Sequence, residues 1–248
     1  MTGVRAELRK LLSLPSAWVG LVSGLLAAPL LLLLNAGTVR AELTAGGSDP
    51  TDLLLQNLGI GLIGAMILGV VVMSSEYTAS GTDEPGARQL TATLTATPGR
   101  VRLLTAKAAV LVLIVTAQGM LTTLATVLVS RLVHGDALPL PSPGRLTGAL
   151  LFWVLSALLA FALTIVTRRG IIPLILLIVN STVVSVSYLL TKIIPAAAYL
   201  PDIVGAHMFL RGIDAPVDIG PVTAGLTMAA WVAVLLTGAA AIFVRRDA

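Results

Sequence analysis

The sequence predicts an all-α integral membrane protein with six transmembrane helices, and three observations predict it. Of its 248 residues 56% are hydrophobic and only 11% charged, with a mean hydropathy of +0.98. Six uncharged stretches approach the roughly 20 residues that a helix needs to cross a hydrocarbon core about 30 Å thick. The basic residues gather between those stretches. A soluble domain carries about 25% charged residues, and disordered or nucleic-acid-binding chains carry more, so both classes are excluded. The net charge of +4 and the pI near 10.0 then mark membrane flanks and not a nucleic-acid partner. With no cysteine there is no disulfide framework and no thiolate chemistry.

The spans cover residues 17–34, 53–73, 108–130, 146–167, 171–190 and 221–244, in a single transmembrane domain over 1–248. Each reads as a helix, because a barrel strand would be about 10 residues long with polar alternation. With the N-terminus inside, the inner segments hold Arg5, Arg9, Lys10, Arg88, Arg100, Arg102, Lys107, Arg168, Arg169, Arg245 and Arg246. The outer ones hold Arg40, Arg131, Arg145, Lys192 and Arg211. Eleven basic residues against five predict that both termini are cytoplasmic.

Ahead of the first span, Val4, Leu8, Leu11 and Leu12 fall at helical spacing, with Arg5, Arg9 and Lys10 opposite. This predicts a short helix on the inner leaflet, a plain basic flank being the alternative. The first span is too long for a signal-peptide core and is expected to remain in the mature chain. In it Gly20 and Gly24, and in the second span Gly59, Gly61 and Gly64, are spaced for close helix packing, within the chain or at a dimer seam. The glycines of the second span match a dinucleotide pattern, but no strand precedes them.

None of the charged residues lies inside a span so drawn, which leaves no group at mid-depth to couple transport to protons. His134 and His207 fall in outer segments, and there is no HExxH or GxSxG motif. The chain therefore reads as a non-enzyme without a cofactor of its own. Gln118, Asn180, Ser181, Ser185 and Ser187 are polar at membrane depth. They either bond between helices or line a wet pathway.

The inner connection 74–107 predicts a structured element. Asp83 can cap a helix starting at Pro85, and Pro98-Gly99 would end it, with Leu90 and Leu94 on one face. Its threonine-rich run also permits a strand, which would have no partner there. The outer segment 191–220 is too apolar for a free loop, and its runs 196–200 and 203–210 predict two short helices.

Glu76-Tyr77, Gly81-Thr82, Arg88, Leu90, Thr95-Ala96-Thr97-Pro98, Arg100 and Ala106-Lys107 resemble the E-Y-x-x-G-T-x-R-x-x-L-x-A-T-P-x-R-x-x-x-L-x-A-K pattern of ABC type-2 exporter permeases of actinobacterial type. Residues 83–87 are an insertion relative to that pattern. Both chain ends, around Arg5-Ala6-Glu7-Leu8 and Arg245-Arg246, look like those of the family, as does the outer segment with Leu200-Pro201 and Gly205.

The resemblance implies a cytoplasmic coupling helix that seats in a groove of a separate ATP-binding-cassette subunit. Glu76, Tyr77, Gly81, Arg88, Leu90, Leu94, Pro98, Arg100 and Lys107 would hold the loop or contact that ATPase, ATP and Mg being bound by the partner. This sequence has no GxxxxGK[ST] loop of its own. The resemblance also implies re-entrant outer helices capping the exit route, with Tyr199, Pro201 and Phe209. A second permease copy, identical or sister, would complete the transporter in the plasma membrane. The expected cargo is an amphipathic compound such as an antibiotic, a lipid-linked molecule or a peptide. A passive or ion-coupled carrier without an ATPase is the main rival, and a non-transporting immunity or sensor protein is a second.

Overall fold

The computed structural model describes residues 2–47, 49–77, 99–180, 186–213 and 215–246. Among these the chain is helical, with no strand. The helices are α1 (Thr2–Leu12), α2 (Pro15–Leu34), α3 (Ala36–Ala45), α4 (Pro50–Ser74), α5 (Arg100–His134), α6 (Pro143–Thr167), α7 (Ile171–Ile178), α8 (Val186–Thr191), α9 (Pro201–Ala206) and α10 (Pro221–Arg246). Five of them, α2, α4, α5, α6 and α10, are long and apolar enough to cross a membrane.

Local sequence explains the boundaries. Pro15, Pro50, Pro143 and Pro221 each open a long helix, where a missing N–H costs nothing. Asp49 caps α4 by accepting from the Thr51 amide at 2.9 Å. Arg168 ends α6 in the left-handed conformation at φ 55°, turning the chain directly into α7.

Helix α4 is the axis of the bundle and packs against α2, α5, α6 and α7. Glycine makes its closest approach possible. A Cβ on Gly64 would collide with the Gly20 carbonyl and the Gly24 backbone, and one on Gly61 would strike the Trp153 ring. Gly20 and Gly24 thus pack against Gly61 and Gly64 within one chain. Gly59 faces open space.

Contacts define the two ends of the bundle. Lys10, Ser74, Glu76, Lys107 and Gly170 gather at one end, where Arg100 also donates to the Val244 carbonyl at 3.2 Å. Asp49, Asp52, Arg145 and the Arg211 and Gly212 amides gather at the other.

Two expectations change. The fifth span, 171–190, is not among the described helices long and apolar enough to cross a membrane. Its described parts are α7, followed by a π-type turn at Val179 and Asn180, and α8, with 181–185 outside the described residues. Gly170, just ahead of α7, lies against Ser74 at the end of α4.

The second change concerns charge. The helices outrun the spans drawn from the sequence, so that Asp52, Lys107 and Arg145 are all helical and buried. The amphipathic N-terminal helix is present as α1, and Leu11 is buried beneath it while Leu12 stays exposed. The outer segment folds as expected into short helices, a 3-10 turn at Pro195–Tyr199 followed by α9.

Candidate functional site

The connection between α4 and α5 leaves and re-enters the bundle at a buried cluster of charges. Glu76, two residues beyond α4, is fully buried and its Oε1 accepts from Lys10 Nζ at 2.5 Å and lies 2.7 Å from Lys107 Nζ. Lys107, also buried, donates to Glu7 Oε2 at 2.7 Å and to the Val72 carbonyl at 3.4 Å. All three ammonium donors of Lys107 thereby have acceptors. Burial alone would push the Glu76 carboxyl up, but the charges of Lys107 and Lys10 and their hydrogen bonds outweigh it and hold it below the ordinary value.

The arrangement follows from helix geometry. Glu7 and Lys10 are three apart on α1 and share the face that packs on α5. This places one carboxylate and one ammonium against the stems of the 78–98 connection. Of the residues expected to contact an ATPase, the structure brings Glu76 and Lys107 into direct contact. Arg100 belongs to the same end but reaches α10, and Tyr77 packs partly buried against the core. Gly81, Arg88, Leu90, Leu94 and Pro98 lie outside the described residues, as does the expected helix from Pro85 to Thr97.

The opposite end has its own clamp. Arg145 pairs with Asp52 and with Asp49 at 3.1 Å, and its Nε donates to the Phe209 carbonyl at 2.8 Å. Asp52 in turn accepts from the Gly212 amide at 2.7 Å and the Arg211 amide at 3.1 Å. Phe209, expected as part of an outer cap, is buried with its ring centroid 5.7 Å from that of Phe152. Tyr199 is half exposed, and its carbonyl accepts from the Trp231 indole at 2.9 Å.

Between α4, α6, α7, α8, α9 and α10 stands a cavity of about 780 Å³, within the roughly 300–1,000 Å³ of small-molecule sites. Asn180 and Ser187, two of the expected pathway residues, line it, as does Pro201. Asn180 Nδ2 donates to Asp202 Oδ2 at 2.9 Å and to Ser187 Oγ at 3.2 Å, linking the turn after α7 to α8 and α9. Ser181 and Ser185 lie outside the described residues.

Gln118 takes the inter-helix alternative: its Nε2 donates to the Gly20 and Leu21 carbonyls at 2.9 and 3.0 Å, beside a Thr122 hydroxyl on the Gly24 carbonyl at 3.0 Å, and it is not among the cavity's described lining residues. It is interhelical glue between α2 and α5. Sequence reasoning also missed Ser156 and Asp202 as lining residues. No family model, curated protein or solved structure matches this chain.

Proposed function

We propose that this chain is the membrane-spanning permease subunit of an ATP-driven exporter, the 78–98 connection being its coupling element. The observation that carries the proposal is the buried Glu76–Lys107 pair. The desolvated ion pair, itself tied to α1 through Lys10 and Glu7, locks the ends of α4 and α5 on either side of the connection to each other, so that a push on them is passed to the bundle axis.

On this reading the segment 171–190 supplies a further crossing beside the five long helices, making six in all, with both termini and the Glu76 cluster on the cytoplasmic side. The basic-residue distribution supports that orientation. Hydrolysis comes from a separate ATP-binding-cassette subunit that supplies ATP and Mg, and a second permease copy, identical or sister, completes the transporter in the plasma membrane. An amphipathic cargo, antibiotic, lipid-linked compound or peptide, suits an apolar cavity with a polar corner.

The test is affinity purification of the tagged chain from its native membranes in mild detergent. Vanadate-sensitive ATP hydrolysis in the eluate is expected. An eluate without nucleotide hydrolysis, from a chain that moves a dye across vesicles in the absence of ATP, would establish the carrier reading instead.

A further inference from the structure

Helix α1 has two faces of different chemistry. One is turned into the bundle, where Leu11 is buried, Glu7 accepts from Lys107 and Lys10 reaches Glu76. At roughly 100° per residue, Arg5, Arg9 and Leu12 fall on the opposite side within about 60° of arc. All three are exposed. Glu7, the single acid of α1, is engaged by Lys107, and neither Arg5 nor Arg9 has an ion pair among the described residues.

This outer face continues into the exposed side of α2. Trp18, three residue steps into that helix, donates its indole N–H to the Leu12 carbonyl at 2.9 Å. Its ring is half exposed, and Val19 and Val22 beyond it are exposed as well. An indole near the start of a membrane-crossing helix belongs at the headgroup level, with its apolar body toward hydrocarbon. The bond to Leu12 sets the end of α1 at that level, and the ties of Glu7 and Lys10 to the Lys107–Glu76 pair keep the helix beside the end of α4.

We propose that this face binds an anionic phospholipid, its phosphate between Arg5 and Arg9 and its acyl chains along the Trp18 side of α2. Two guanidinium groups one turn apart repel each other, and a phosphate between them removes that cost while accepting several hydrogen bonds. The apolar shelf of Leu12, Trp18, Val19 and Val22 gives the acyl chains a wall, which a soluble anion would leave unused. The inference rests on the chain lying in a membrane and uses neither nucleotide nor ATPase, so its failure leaves the exporter reading standing.

The experiment reads Trp18 fluorescence from the full chain carrying Trp231→Phe, which leaves Trp18 as the exposed indole beside buried Trp153. The protein is placed in phosphatidylcholine vesicles containing rising fractions of phosphatidylglycerol brominated on its acyl chains or, in parallel, of brominated phosphatidylcholine. Half-maximal quenching by the anionic lipid is expected at a fraction about threefold lower or less. Arg5→Gln with Arg9→Gln should bring the two lipids together, and the thermal transition should stay in place because both side chains are exposed and unpaired. Excess glycerol phosphate should leave the preference intact. Equal quenching by the two lipids with both arginines present would overturn the proposal without recourse to the double variant. So would a preference that survives loss of both arginines in full, or one that glycerol phosphate abolishes, which would make this a site for a soluble anion.

Discussion

Where α2 meets α4, glycine backbones touch and Gln118 and Thr122 bond directly to the carbonyls of the α2 turn. Where α7 and α8 meet α6 and α10, half-exposed isoleucines and leucines line a cavity of about 780 Å³. Both regions are strongly apolar in sequence. The difference lies in residue size: glycines close the first seam, and large side chains stand around the second.

The largest expected effect comes from the charged end of the closed region. Lys107→Ala removes one of the two ammonium groups that Glu76 meets among the described residues, and breaking such a buried pair costs about 3–5 kcal/mol. Thermal unfolding in detergent should show the loss, and a transition within a degree or two of the unmodified chain would mean that the cluster is wetter than its geometry indicates. The pH dependence has a definite sign. Because the Glu76 carboxyl is held below its ordinary 4.5, its contribution is complete above that value and fades as the pH falls through its folded value. The stability gap between the unmodified chain and Glu76→Gln should therefore be full at neutral pH and shrink on acidification below the ordinary value.

A smaller effect is expected at the glycine seam. Gly64→Leu forces α2 and α4 apart, an overpacking cost on the order of 1–3 kcal/mol, whereas Gly59→Leu, which points into open space, should be nearly neutral. Equal losses at the two positions would erase the distinction. Smallest of all is Ile175→Ala on the hollow side. This half-exposed wall residue should shift stability by no more than about 0.5 kcal/mol.

The periodic features were legible in the sequence: the cores of the long helices, the amphipathic α1, the glycine spacing and the short helices after Pro195 and Pro201. Drawing spans as charge-free stretches hid the buried ions. Asp52 and Arg145 sit in the first turns of α4 and α6 and Lys107 about two turns into α5, where they pair with residues far away in sequence, and no local pattern records the partner. The acids Asp49 and Asp52 at the start of α4, set against a single Arg145 at the start of α6, were a usable hint. That Asp202 lines the cavity showed nothing locally, because its place depends on α9 lying beside Asn180.

The central claim, that the 78–98 connection couples this chain to an ATPase, is tested most directly at Leu90 and Leu94. Replacing both with Asp removes apolar contact worth about 1.5–3 kcal/mol per side chain if fully buried in a partner's groove. Co-purified ATP hydrolysis should fall at least tenfold, while the thermal transition of the permease itself stays unchanged. Undiminished hydrolysis and export from the double variant would show that the connection only joins two helices, and would contradict the account.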